Sequence, residues 1–125
     1  MTPLLFVGIA VAGGLGSASR LFLDGIIRSR TRATMPWGTI ALNLTGSFLL
    51  GLITGFTTSQ LLPETVHLIV GAGFLGGYTT FSTASFETIR LLQERKWVIG
   101  GLNGLGVLVA ATAVAGLGLW IGSLP

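Results

Sequence analysis

Cysteine is absent from the chain, which excludes disulfides and thiol chemistry while leaving the compartment open. One histidine, His67, and four scattered carboxylates form no metal-ligand or nucleophile set, so an enzyme is the least expected class. Charge is scarce as well: 9% of residues are charged whereas half are hydrophobic, and mean hydropathy is +0.83. A chain this poor in polar surface would not stay dissolved in water. Its pI near 10.7 comes from seven basic residues confined to loops and helix ends, so no nucleic-acid partner is implied and a membrane-facing account suffices. Positive charge is also missing ahead of the apolar N-terminal run. Ser17-Ala18-Ser19 loosely resembles a cleavage site, but a secretory signal opens with basic residues, so cleavage is not expected.

What the chain has instead is apolar length. A transmembrane helix needs ~20 mostly apolar residues, and the sequence divides into four such spans, at about 4–27, 37–58, 66–92 and 97–121. Together they predict an all-α membrane protein with one transmembrane domain over 1–125, and no period suggests an internal repeat. In the first span Gly8, Gly13, Gly14 and Gly16 give a surface that another backbone can approach closely. Pro36-Trp37 opens the second span, where Ser47, Gly51 and Gly55 recur every four residues. Trp97 and Trp120 lie 23 positions apart in the fourth, roughly 35 Å of helix, which suits a bilayer with its interfaces. The third span differs. Its middle, Gly71 to Thr83, is glycine-rich and then hydroxyl-rich, and each glycine weakens a helix by ~1 kcal/mol. A break is expected there, and irregular backbone at membrane depth is tolerated only where protein buries it or it lines a wet cavity.

These spans put the loops 28–36 and 90–96 on one side of the membrane. That side holds Arg28, Arg30, Arg32, Arg90, Arg95 and Lys96, six of the seven basic residues, and Arg20 leans the same way. The positive-inside rule makes these loops cytoplasmic and sends both termini outward across the cell's inner (plasma) membrane.

The polar residues within the spans are few enough to consider singly. Thr39, Asn43 and Ser47 form a stripe at four-residue spacing, and Thr79, Ser82 and Thr83 form a second. Each is as consistent with interhelical bonding as with a pore lining. Phe81 directly follows the expected break. An aromatic ring has a positive edge, so ring edges and hydroxyl donors together can replace an anion's water without a trapping charge. Arg20 and Glu87 are ionisable groups near membrane depth, for which a buried pair or snorkelling is equally consistent.

The sequence resembles the fluoride channels called Fluc or CrcB over nearly its whole length. The resemblance is carried by Gly13-Gly14-Leu15-Gly16 and Arg20, by Pro36-Trp37-Gly38-Thr39 through Asn43 and Gly46, and by the highly specific run from Gly73 to Thr83 with Glu87. It implies an antiparallel, dual-topology dimer with fluoride pores at the subunit interface and a structural sodium ion at its centre. By the same resemblance, carbonyls of Gly76 and Thr79 would hold sodium. Asn43 would donate to fluoride and Phe81 would offer its ring edge. Ser82, Thr83 and Asn103 would line the pathway, and Arg20 would sit at the aqueous vestibule. The implied activity is passive export of cytoplasmic fluoride, which relieves its toxicity.

The chain departs from that pattern in two places. The family usually has a second pore phenylalanine three residues after the first, where this sequence has Ala84. Phe86 cannot substitute, since two residues along a helix is ~200° around its axis. Val107 is apolar where the family commonly has a hydroxyl or amide. The charge bias also opposes insertion in both orientations, so the expected partner is a related, oppositely oriented subunit, with a second copy of this chain the other possibility. Two rival functions are a non-conducting scaffold subunit and a small multidrug-type exchanger. The exchanger would need a carboxylate at the bilayer midplane.

Overall fold

Proline and tryptophan punctuate this chain. Pro3, Pro36 and Pro63 each stand at a helix start, where a missing N–H costs nothing and the fixed φ suits the first turn. A computed structural model describes residues 2–30, 35–80 and 82–124, the side chain of Ser82 excepted. Every regular element among the described residues is helical: α1 (Pro3–Arg30), α2 (Trp37–Thr58), α3 (64–78), α4 (Ser82–Gln93) and α5 (Trp97–Gly122). Of these, α1, α2 and α5 are each long and apolar enough to cross a membrane.

The helices associate through glycine. A Cβ on Gly16 would overlap the Phe74 carbonyl, and one on Gly77 the Gly13 carbonyl, so α1 and α3 touch backbone to backbone. The same holds for α2 and α5, where Gly51 meets the Ala115 carbonyl, Gly118 the Phe48 carbonyl and Gly122 the Leu52 carbonyl. Lipid removes the hydrophobic drive between helices, so dispersion at such close approach must hold them together. The burial pattern agrees. Ala12, Ile40, Leu42, Leu75 and Leu91 are buried, while Phe6, Leu15, Phe22, Leu105, Val109 and Trp120 stand exposed along α1 and α5.

The register of these contacts fixes directions. Ile69, early in α3, lies beside Gly8, early in α1; Glu87 of α4 is held by Arg28, late in α1. The pair α3 and α4 therefore runs the length of the bundle parallel to α1. Its glycine-rich stretch is helical to Tyr78, widened over His67–Leu75 into an i→i+5 register. The chain leaves helical geometry immediately afterwards, at Thr79 (φ −83°, ψ 159°). Gly73 and Gly77 are spent on close approach to α1, so missing side chains here serve packing, and the helix ends once that contact ends.

Candidate functional site

Ending a helix inside an apolar bundle strands backbone groups that must find partners. Here neighbouring helices supply them. The Leu75 carbonyl accepts from both the Thr79 N–H and the Thr79 hydroxyl, each at 3.0 Å. Ser17 Oγ and Arg20 Nε of α1 reach the Gly77 carbonyl at 3.4 and 3.3 Å, placing a cation at the negative end of α3. Asn43 of α2 takes both main-chain groups of Thr80: its Nδ2 donates to the carbonyl, and the Thr80 N–H donates to its Oδ1, each at 2.8 Å. Thr80 Oγ1 then accepts from the Thr83 N–H at 3.2 Å, an N-cap for α4. Among the described residues, neither the Gly76 nor the Thr79 carbonyl accepts from a side chain or from backbone outside the helices.

Beside this junction lies a partly open groove of about 430 Å³ between α2, α4 and α5. Asn43, Ser47, Thr79, Thr80, Ser85, Thr88 and Asn103 line its polar part; Ala84, Ile89, Gly104, Val107, Leu108 and Ala111 line the rest. Buried Asn103 donates to Thr88 Oγ1 at 2.8 Å, and that hydroxyl donates on to the Ala84 carbonyl at 2.9 Å. Among the described residues no ionisable side chain lines the groove, and the polar side chains that do line it offer hydrogen-bonding dipoles.

A charged cluster closes the bundle nearer the basic loops. Glu87 is 3% exposed and accepts from the Thr39 hydroxyl at 2.6 Å and from Arg28 Nη2 at 3.2 Å. Arg28 Nε also binds Asp24 Oδ2 at 2.9 Å. The other oxygen, Asp24 Oδ1, is buried against Gly38 without a hydrogen-bond partner among the described residues.

Of the residues the sequence proposes, Asn43, Thr79 and Asn103 meet in the groove. Arg20 instead engages the end of α3. Gly76 is exposed on the outer face of α3. Thr83 is part-buried but off the groove, because the helical period does not carry from Thr79 across the interruption to α4. Phe81, Arg32 and the side chain of Ser82 lie outside the described residues. Sequence reasoning missed Ser85 and Thr88. Their three-residue spacing was the available signal, since it places both hydroxyls on one face of α4.

Comparison with known proteins gives these features a family. Residues 7–119 match the model described as CrcB-like protein, Camphor Resistance (CrcB). The chain is 52% identical over 124 residues to a protein of Leifsonia xyli subsp. xyli named fluoride-specific ion channel FluC 1, covering 99% of this chain and 90% of the relative. It is 38% identical to a Mycobacterium bovis protein named fluoride-specific ion channel FluC 2, covering 99% and 95%. A further relative, named fluoride-specific ion channel FluC, comes from Syntrophotalea carbinolica, at 40% identity with 92% and 94% covered. With its glycine-locked apolar helices and polar groove, the chain is a multi-pass membrane protein that belongs to the CrcB family.

Proposed function

We propose that this chain is a subunit of a fluoride-selective channel that passes cytoplasmic fluoride outward down its electrochemical gradient. The observation that carries the reading is the near-full-length similarity to proteins named fluoride-specific ion channels. The groove supports it. Fluoride is a small, hard anion whose dehydration is costly, and clustered neutral donors replace its water without holding it fast. An interior-negative potential contributes ~2.3 kcal/mol per 100 mV to outward anion flow.

In this reading α3 and α4 form one interrupted crossing, making four spans, and the working unit is an antiparallel dimer in the plasma membrane. Asn43, Phe81, Ser82, Thr83 and Asn103 contribute to the fluoride pathway, and Arg20 faces a vestibule. Structural sodium is assigned to carbonyls of Gly76 and Thr79, neutral oxygen donors of the kind hard cations take. The fit is supported by the free acceptor capacity of those two carbonyls among the described residues. Sodium would bind the interruptions of two subunits to each other.

Ala84 and Val107 both line the groove, and this favours a second reading in which a related, oppositely oriented subunit completes the pathway. At its extreme, the chain only scaffolds such a partner. The exchanger has no matching feature among the described residues, where no carboxylate lines the groove. Fluoride efflux from proteoliposomes, with valinomycin balancing charge, separates the possibilities. Rapid efflux from the purified chain alone is expected for a working homodimer, and efflux only after adding the partner for a heterodimer. No efflux in either condition would overturn the channel reading.

A further inference from the structure

We propose that the main chain of Thr80 sets the anion preference of the groove by fixing which end of the Asn43 amide faces it. The inference rests on the channel reading and deepens it. A free carboxamide is indifferent to charge, because it offers an oxygen to cations and N–H groups to anions. At Asn43 that indifference is removed. The Thr80 N–H can be satisfied only by an oxygen, and the Thr80 carbonyl only by a donor, so the two 2.8 Å bonds dictate the amide's orientation. A flipped amide would set donor against donor and oxygen against oxygen.

The cyclic pairing consumes Oδ1 and the Nδ2 hydrogen on the same side as Oδ1. The second Nδ2 hydrogen points away from Thr80 and remains for the groove that Asn43 lines. Thr80 is itself anchored on both sides. Its hydroxyl accepts from the Thr83 N–H, and Thr79 before it donates twice to the Leu75 carbonyl. A donor thus faces the pathway while the acceptor is turned into the protein, favouring anions where no cationic side chain lines the groove among the described residues. The interruption between α3 and α4 has a use beyond bending the chain: only non-helical backbone leaves both main-chain groups of one residue free to grip a side chain.

The test is side-chain amide NMR of protein labelled with 15N-asparagine in lipid bicelles, with Asn43 assigned by the Asn43→Ser variant. Of the two Asn43 amide protons, one is expected shifted downfield and insensitive to added fluoride, the other moving with fluoride but not with equal chloride. Both protons moving, or neither responding, would overturn the proposal even if efflux is intact. In a parallel efflux assay, Asn43→Asp keeps an acceptor for the Thr80 N–H but sets an oxygen against the Thr80 carbonyl and another toward the groove. Efflux should fall on the order of 10- to 100-fold, the scale of one charge-assisted hydrogen bond; an unchanged rate would overturn the proposal. Lost efflux from the unmodified protein, with the amide signals as expected, would count against the channel reading alone.

Discussion

Glu87 is a carboxylate in a setting that penalises charge, and its neighbours show how it is kept. Arg28 and Thr39 each donate to one of its oxygens, and a buried charge lacking such donors would be costly. The hydroxyl matters more than its size suggests, because Thr39 is 2% exposed and water cannot replace it. Thr39→Val, nearly isosteric, should destabilise the protein by about 1–3 kcal/mol through the orphaned acceptor, and Thr39→Ser should recover most of that. Thermal unfolding in detergent checks the order; equal midpoints for valine and serine would refute it. Arg28 is half exposed, so solvent screens its pairing, and Arg28→Gln should cost only about 1 kcal/mol. Thr39 was legible in the sequence as part of a stripe with Asn43. Its service to Glu87, 48 positions away, was not, because no local pattern encodes a contact between spans.

At the scale of elements, space decides what a glycine is for. Gly51 meets the Ala115 carbonyl, whereas a Cβ on Gly116 would find nothing within 4 Å. Gly51→Val should force α2 from α5 and cost at least about 2 kcal/mol, as overpacking of close contacts does, while Gly116→Ala should be neutral or gain up to about 1 kcal/mol of helix propensity. Similar unfolding midpoints for the two variants would contradict this. A different strain sits at helix ends. Gln60 (φ 62°) and Arg95 (φ 60°) are left-handed without being glycine. Each closes a Schellman turn: Leu61 N–H bonds the Phe56 carbonyl at 2.8 Å after α2, and Lys96 N–H the Leu91 carbonyl at 2.9 Å after α4. Gln60→Gly relieves about 1–2 kcal/mol of strain against about 0.4–1 kcal/mol of added chain entropy. A gain of roughly 0.5–1 kcal/mol, seen as a raised unfolding midpoint, is expected from that difference. The starts of α1, α2 and α3 were readable because prolines mark them. The turn at Gln60 was not, because the residue there is not the glycine that usually signals it. The sequence predicts a break between Gly71 and Thr83; packing against α1 keeps the glycine-rich part of that stretch helical as far as Tyr78, so the chain leaves helical geometry at Thr79.

For the molecule as a whole, the contacts gather the charge at one end. Arg28 reaches Glu87, joining the end of α1 to α4, whose following turn holds the Lys96–Glu94 pair at 3.0 Å. At the opposite end, Ser59 Oγ donates to the Gly122 carbonyl, placing the connection after α2 beside the end of α5. Five of the six described basic residues thus belong to segments at one end, a bias that should orient nearly every copy with those loops in the cytoplasm. An antiparallel dimer of identical chains needs both orientations in comparable amounts; this charge distribution opposes that, while a partner with the reverse bias would supply the second orientation. A C-terminal topology reporter in cells should therefore read outside almost exclusively, and replacing Arg90, Arg95 and Lys96 with glutamine should produce a mixed signal. Equal inside and outside signal from the unmodified chain would remove the need for a distinct partner and leave Ala84 and Val107 as tolerated changes in a homodimer. An outside-only signal, with fluoride resistance in cells appearing only on coexpression of an oppositely oriented relative, would assign this chain to one half of a two-gene channel.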